Sequence, residues 1–351
     1  MAQRFDEKRL TLAGEPLPLA EPAGLFSVSA QQTLVYEPMG TQAVTGPQQV
    51  VWMDRNGKPG PAVSMPGTFA MLRLSRNGDR LALARTNEGN TDIWVIDLNR
   101  GTANRLTSDP TIDSNPVWSP NGEQILFSSS RSGAQRMFIR SSLPTIGTDQ
   151  ALPSETPLDM REIPSDWSRD YIVFLRAPSN TPLGGSDIWV KPTSGDGKPF
   201  PFVQSKQFLH SEARLSPDGR WLAYLTNEST TYQVVVQTFP DPNGDFQTVT
   251  PQGGIYPNWS RDGRELYYLA LDGKLMAVSV KEEGGKLKLG APTVLFQSPL
   301  TVPSAPLAQQ YEVSPDGKKF VFIVNNTSLR NTNDSGKLTV VVNWTAALRK
   351  K

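Results

Sequence analysis

The sequence contains no cysteine and only one histidine, His210. Without thiols there are no disulfides, no thiolate nucleophile and no zinc site of the cysteine type. A Ser-His-Asp triad would have to use His210, and most zinc and non-haem iron sites require two or three histidines. This inventory disfavours the common hydrolytic chemistries, and we expect no catalytic residues, no metal site and no cofactor.

Long apolar runs and a charge bias are also missing. No run of 18 apolar residues occurs, so no segment is expected to span a bilayer, and the first residues, "MAQRFDEKRL", lack the apolar region of a signal peptide. The 35 basic and 34 acidic residues nearly cancel, giving a net charge of +1. Such a balance provides no general attraction to nucleic acid or anionic membranes. We therefore expect a protein, peptide or small ligand as partner, with no nucleic acid and no membrane insertion by this chain.

Helical periodicity is almost absent, and a repeated turn takes its place. The turn has the form Ser-Pro-Asp-Gly, in which proline presets φ and glycine takes the left-handed position that closes a short hairpin. Seven copies, two of them eroded, are centred on serines 44 to 54 residues apart, namely Ser29, Ser75, Ser119, Ser168, Ser216, Ser260 and Ser314. The left-handed position is filled by Gly78, Gly122, Gly219, Gly263 and Gly317. Periods of this length with several strands each are typical of a β-propeller.

Each period has the strands of one four-stranded blade. In the second copy "AMLRLS" is the inner strand, "DRLALART" and "DIWVIDL" follow, and "NRLTS" begins the outer strand. The residues immediately before the turn serines are predicted to pack between neighbouring blades: Leu74, Trp118, Trp167, Leu215 and Trp259. The sequence therefore predicts an all-β fold, a seven-bladed propeller of antiparallel blades that forms a single domain over residues 1–351.

The chain ends suggest how the ring closes. Residues 1–16 resemble residues 276–292, which end the sixth blade, so the chain starts within a blade. The last blade, residues 308–351, has "YEVS", "KKFVFIV" and "KLTVVVNW" but no fourth strand. We expect residues 1–20 to supply that outer strand, since a closed ring leaves no sheet edge bare. A start within a blade also leads us to expect a longer parent polypeptide.

The repeats resemble a known family. The "SPDG" turns, the preceding "P-x-W-S" and "TDIWVIDLNRGTANRLT" resemble TolB-type, WD40-like propeller repeats. Over nearly the whole chain, "MAQRFDEKRLTLAGEP", "RDGRELYYLALDGKLMAVSV" and "LTVVVNWTAALRK" are similar to the C-terminal propeller of bacterial membrane-anchored serine/threonine protein kinases. The kinase motifs themselves are missing. The resemblance thus implies a sensor or docking module of a signalling or envelope protein, in an extracytoplasmic, periplasmic setting.

Catalysis has little support in the motifs. No G-x-S-x-G nucleophile elbow occurs, and the spacing around Asp218 and Trp221 differs from the sialidase Asp-box. Carboxylate pairs for glycoside hydrolysis remain open, because 34 acidic residues always offer pairs. The stretch "DPNGDF" has calcium-like alternation, but a solvated hairpin turn is favoured. The alternative function is therefore an accessory propeller of a peptidase or glycoside hydrolase.

Binding is expected at the mouth of the central channel, where the inner strands begin. Polar residues are dense two and four places before the turn serines, and the candidate binding residues are Arg73, Asn115, Asp166, Glu212, Arg214, Tyr256, Asn258, Gln310 and Glu312. One hypothesis is that Arg73 and Arg214 bind a carboxylate or an acidic peptide with charge-assisted hydrogen bonds. The alternative is that these side chains pair with one another across blades and solvate the channel.

Overall fold

The structure, a computed structural model, describes residues 2–6, 11–17, 23–29, 33–38, 47–63, 66–143, 147–180, 185–195, 197–229, 231–300, 302, 309–325 and 339–342. The chain forms two compact units, each described by itself: a propeller unit, Gln48–Val324, and a terminal unit, Met1–Pro47 with Asn325–Lys351.

All regular elements of the described residues are β-strands, and they are numbered in chain order. The first ten are β1 (Ala2–Asp6), β2 (Thr11–Leu17), β3 (Ala23–Val28), β4 (Thr33–Pro38), β5 (Gln48–Asp54), β6 (Pro59–Ala62), β7 (Thr68–Leu74), β8 (Arg80–Asn87), β9 (Asn90–Asp97) and β10 (Thr102–Arg105). The next ten are β11 (Asp113–Trp118), β12 (Gln124–Ser132), β13 (Ala134–Ser141), β14 (Gln150–Ala151), β15 (Met160–Trp167), β16 (Tyr171–Pro178), β17 (Asp187–Pro192), β18 (Phe200–Val203), β19 (His210–Leu215) and β20 (Trp221–Thr226). The last ten are β21 (Gln233–Thr238), β22 (Phe246–Thr248), β23 (Ile255–Trp259), β24 (Glu265–Leu269), β25 (Lys274–Glu283), β26 (Lys286–Leu289), β27 (Thr293–Gln297), β28 (Tyr311–Val313), β29 (Lys319–Asn325) and β30 (Thr339–Val342).

The propeller unit has six blades within its described residues. Blades 1 to 4 are the sheets β7–β10, β11–β14, β15–β18 and β19–β22, each in sequence order. Blade 5 contains β23, β24, β25 and β27, with β26 pairing to the far end of β25, and blade 6 has the order β28-β29-β5-β6. Each inner strand contacts that of the next blade, and β28 contacts β7, so the ring is closed.

The turn serine explains why the same short hairpin recurs. Ser216 Oγ donates to Asp218 Oδ1 at 2.6 Å and accepts the Trp221 backbone N–H at 3.0 Å, while Gly219 takes φ +73°. The turns at Ser75, Ser119, Ser260 and Ser314 make the same two bonds, with Asn or Asp as the acceptor and glycine in the left-handed region. The predicted turn chemistry is confirmed in these five copies.

The residue before the turn serine joins neighbouring blades. Trp259 of blade 5 packs with Trp221 and Ala223 of blade 4, and its Nε1 donates to the Arg214 carbonyl at 3.1 Å. Trp118 of blade 2 makes the equivalent hydrogen bond to blade 1, because its Nε1 donates to the Arg73 carbonyl oxygen at 2.9 Å. The predicted role of these two aromatic residues between blades is confirmed, and the core of the unit lies in these layers between sheets.

Two parts of the predicted fold are wrong: the seven blades, and ring closure by residues 1–20. The sheet of β28 and β29 is completed by β5 and β6, within Gln48–Ala62. These two strands directly precede blade 1 in the chain and give blade 6 its four strands. Residues 2–6 and 11–17 instead form the two-stranded sheet β1-β2 of the terminal unit. The Ser29 repeat forms the hairpin β3–β4, which pairs with β30 rather than completing a four-stranded blade of the ring.

Among the described residues, no helix has the length and apolar character needed to cross a bilayer.

Candidate ligand site at the channel mouth

A strained backbone position recurs in the inner strands. Four places before the turn serine, Met71, Asn115, Glu212 and Tyr256 have φ values of 50° to 57°. In the same strands the pairing register shifts at this point, which is the mark of a β-bulge. A left-handed residue other than glycine costs about 1 kcal/mol or more, and such strain is concentrated at functional sites. The bulge redirects side chains at one end of the inner strands.

Three of these bulges, at Met71, Asn115 and Glu212, border a cavity at the channel mouth. The cavity has a volume of about 220 Å³ and is lined mainly by the inner strands of blades 1 to 4. Its polar and charged lining includes Arg73, Asn115, Gln135, Arg161, Glu212, Arg214 and Gln309. Met71, Leu72, Val117 and Ile163 add apolar wall. The site thus combines apolar walls with a few convergent polar groups, as small-ligand sites do.

Glu312 is the centre of a buried polar network across the channel. Its carboxylate accepts hydrogen bonds from Arg73 Nη1 at 3.3 Å and Asn258 Nδ2 at 3.1 Å, and Arg214 Nη2 lies 3.7 Å away. Burial raises the pKa of Glu312 to about 7, against the opposing effect of the Arg73 charge. The network joins blade 6 to blades 1, 4 and 5, so its first role is to hold the ring together.

The two arginines are therefore already supplied with acceptors. Arg214 donates to the Ser165 carbonyl at 3.0 Å and to Gln309 Oε1 at 2.6 Å, and Arg73 also donates to the Ser165 carbonyl. A carboxylate ligand would have to displace these bonds. For Arg73 and Arg214, this arrangement matches the alternative hypothesis that the channel side chains pair with one another across blades.

The Glu212 carboxylate differs from the two arginines in its contacts. It is half-buried on the cavity wall, and within the part of the chain that the structure describes its carboxylate has no hydrogen bond or ion pair. Burial raises the pKa of Glu212 to about 7, the Arg73 charge counteracts this, and the Glu312 charge adds to it. A half-buried carboxylate without a hydrogen bond and with a raised pKa is a perturbed group of the kind found at functional sites.

The candidate residues from the sequence divide into two groups. Arg73, Asn115, Glu212 and Arg214 line the cavity. The other five are not part of its lining: Asp166, Tyr256, Asn258, Gln310 and Glu312.

The residues outside the lining have structural contacts. Asp166 accepts the backbone N–H of Leu215 at 2.8 Å and so joins blade 3 to blade 4. The Tyr256 carbonyl accepts the Tyr311 hydroxyl at 2.8 Å, and the Gln310 carbonyl accepts the Ile323 N–H.

Sequence reasoning missed Arg161, Gln135 and Gln309. Arg161 lines the cavity, and burial lowers the pKa of its guanidinium. Gln135 Nε2 donates to Ser128 Oγ at 2.9 Å. Arg161 and Gln309 precede their turn serines by more than four places, and Gln135 lies on a third strand. No signal in the sequence could have indicated them, because the packing of the strands, and not the distance from a turn serine, brings them to the cavity.

Metal ligation gains no support from the described residues. They contain no cluster of three or more His, Cys, Asp or Glu side chains placed to hold an ion. The stretch "DPNGDF" is a turn in which Asp241 Oδ1 accepts the Asn243 N–H at 2.9 Å, so the Asp241 side chain bonds the backbone of the turn.

Comparison with known proteins supports the fold. Residues 51–145 match the family model "TolB beta propeller domain". The uncharacterized peptidase YuxL of Bacillus subtilis is 28% identical over 212 residues, which are 56% of this chain and 29% of that protein. The chain therefore spans less than a third of this curated relative.

Two solved structures are similar over most of the chain. A putative TolB from Agrobacterium tumefaciens has a TM-score of 0.58 at 15% identity, covering 80% of this chain and 98% of its own. TolB from Acinetobacter baumannii has a TM-score of 0.50 at 14% identity, covering 89% and 79%. At such identities the likeness shows the fold alone, a β-propeller, and the family match itself is limited to residues 51–145.

Proposed function

We propose that the protein is a non-catalytic binding module that takes a peptide, a protein segment or a small ligand at the channel mouth. The single observation that carries this proposal is the Glu212 carboxylate, which lines the cavity on a strained bulge without a partner in the described residues. A repeat protein gains nothing in stability from such a group, because an unpaired, partly desolvated charge is costly.

The ligand chemistry follows from the electrostatics. Arg73 and Arg214 are bonded to Ser165, Gln309 and Glu312, whereas Glu212 has unused acceptor capacity. A ligand with an ammonium, guanidinium or amide donor would satisfy Glu212 and restore its charged form. The free amino terminus of a peptide is the simplest such group, and the cavity of about 220 Å³ has room for a chain end.

The setting of the module belongs to the same proposal. The motif resemblance favours the extracytoplasmic sensor or docking domain of a bacterial signalling kinase or an envelope protein. The lack of a nucleophile elbow in the sequence favours a role without catalysis.

Methionine methyl groups give a direct test with trialanine as the probe. Met71 lines the cavity, whereas Met276 lies on β25 in blade 5. With 13C-methyl labelling, we expect trialanine to shift the Met71 resonance and leave Met276 unchanged. N-acetylated trialanine should shift Met71 much less, and Glu212→Gln should remove the difference between the two peptides. Equal responses to both peptides in the parent protein would contradict the role of Glu212.

A second candidate function rests on the YuxL match. It supports an accessory propeller that accompanies a peptidase domain, since 212 residues here align with part of that protein. The coding sequence on either side of these 351 codons discriminates the candidates: a hydrolase domain supports the accessory propeller, and a kinase domain with a membrane span supports the sensor.

A further inference from the structure

A larger cavity lies away from the channel, between blade 6 and blade 1. Its volume is about 420 Å³, within the range of small-ligand pockets. The lining residues are Ala62, Val63, Phe69, Leu83, Arg85, Trp94, Ile96, Gly101 and Ala103. The wall is therefore apolar and aromatic, with Arg85 as its one charged side chain among these residues. The outer strands β6 and β10, both exposed, border it on either side.

Arg85 has aromatic neighbours but no acid. Its Cζ lies 4.9 Å from the ring centroid of Trp94 and 5.9 Å from that of Phe69. Among the described residues the Arg85 side chain makes no hydrogen bond or ion pair, and its Nε is buried. Trp94 Nε1 is also buried without an acceptor. Asp92, opposite Arg85 on β9, pairs with Arg105 at 2.7 Å instead.

Blade 3 contains the same arrangement with one substitution. Arg176 and Trp189 occupy the places of Arg85 and Trp94 in the strand register, and Arg176 Cζ lies 3.7 Å from the Trp189 ring centroid. The residue opposite Arg176 on the inner strand is Glu162, whose carboxylate is 3.8 Å away.

The residue opposite Arg85 is Phe69. Blade 1 therefore keeps the cation and its aromatic platform, has a phenyl ring where blade 3 has the carboxylate, and has a cavity beside the cation. An arginine held on aromatic rings in a cavity without an acceptor is suited to bind a carboxylate from outside the chain.

We propose that this inter-blade cavity binds a small organic acid with a flat, apolar body, such as an aryl carboxylate. Its carboxylate accepts hydrogen bonds from the Arg85 guanidinium. Its body contacts Leu83, Ile96 and Val63. This site is independent of the channel mouth, so it can fail or succeed separately from the proposed function.

Fluorine NMR with para-trifluoromethylbenzoate tests the site, and the neutral para-trifluoromethylbenzamide is the matched ligand control. We expect the acid to bind and the amide to bind at least about tenfold more weakly, because charge-assisted bonds to arginine are lost. Arg85→Gln should weaken binding of the acid by a similar factor. Arg176→Gln is the matched protein control and should leave binding unchanged, because that arginine already has Glu162 as its partner.

A second variant guards against indirect effects on the blade. Ala103 lies on the exposed strand β10 at the cavity wall, so Ala103→Trp fills the cavity from outside without changing Arg85. We expect it to abolish binding while the melting temperature stays near that of the parent. The proposal is overturned if the acid does not bind the parent, if the amide binds as well as the acid, if Arg85→Gln and Arg176→Gln have equal effects, or if Ala103→Trp binds normally.

Discussion

The two ends of the inner strands differ in their backbone strain and in the bonding of their polar groups. At the turn end, a serine hydroxyl, an Asn or Asp oxygen and a left-handed glycine make the same bonds in five blades. At the channel end, four residues away, the left-handed position is held by Met, Asn, Glu or Tyr, and each side chain has different surroundings. The turn end relieves strain with glycine and satisfies its polar groups, whereas the channel end keeps strain and leaves Glu212 without a partner in the described residues.

This difference shows how a repeat protein separates assembly from recognition. The turn end builds a blade from local bonds only, so closely similar residues serve in five of the copies. The channel end is where blades meet one another, and its residues differ between blades because each faces a different neighbour. Glu312 and Glu212 show the two outcomes there: one carboxylate joins blades, and the other remains available.

The largest expected effect is a loss of stability when the Glu312 carboxylate, which joins blades at the channel, is removed. Glu312→Ala removes the acceptor of Arg73 and Asn258 and leaves two cations close together without it. Breaking a buried ion pair by removing one partner costs about 3 kcal/mol or more. Urea denaturation should show this loss, whereas Glu123→Ala in the exposed turn of blade 2 should change stability by less than about 0.5 kcal/mol. Equal midpoints for the two variants would mean that the network does not hold the ring.

The second-largest expected effect is a loss of stability when a turn serine is replaced by alanine. Ser260→Ala leaves the Glu265 N–H without its acceptor and removes the hydroxyl donor of Asp262, so the free energy of unfolding should fall by about 1 to 2 kcal/mol. Ser168→Ala should cost less, since that eroded turn offers only the Tyr171 backbone as partner. Thermal denaturation of both variants measures the difference. A larger loss at Ser168 would contradict this account of the turn.

The Ser260 effect also has a pH signature. The Ser260 hydroxyl, with the Arg264 N–H, lowers the pKa of Asp262 below its usual value. A depressed carboxyl pKa stabilises the fold above pH about 4, and that part is lost as pH falls through the folded pKa. The loss caused by Ser260→Ala should therefore shrink in acid.

The smallest expected effect is a gain in stability, and it concerns the Glu212 carboxylate. The pKa of Glu212 is raised to about 7, so its ionisation opposes folding. This cost is absent below the unfolded pKa, grows as pH rises towards 7 and is then constant. Glu212→Gln should stabilise the protein by about 1 kcal/mol at pH 8, after discounting for its partial exposure, and have almost no effect at pH 4. Denaturation at the two pH values checks this; destabilisation at pH 8 would show that Glu212 has a structural partner.

The sequence was sufficient for the local parts of the fold. The Ser-Pro-Asp-Gly turns act over four or five residues, so their chemistry could be predicted, and so could the strands of blade 1 and the packing of Trp118 and Trp259 between blades. Blade count and closure were not predictable in this way. They depend on which distant strands pair, and both the N-terminal residues and β5–β6 were available to complete the sheet of β29.

The candidate site was only partly predictable for a related reason. Alternation along a strand indicates which residues share a face, but a bulge at Glu212 or Asn115 changes the alternation at that point. Glu312 and Glu212 look equivalent as acidic residues before a turn serine. Their environments differ because one faces Arg73, Arg214 and Asn258 from other blades, and such contacts between blades have no signature within one repeat.

The shared sheet of blade 6 has a consequence for the order of events during synthesis. The hairpin β5–β6 leaves the ribosome before blades 1 to 5, while its partners β28 and β29 follow blade 5. At synthesis rates of about 5 to 20 residues per second the intervening residues take on the order of tens of seconds. For that time β5 presents an open edge with the apolar run Val50, Val51 and Trp52, while blades 1 to 5 can fold beside it. Ring closure is therefore the late, non-local step of folding, and the nascent protein is most prone to pair with a neighbouring chain through that edge just before the step occurs.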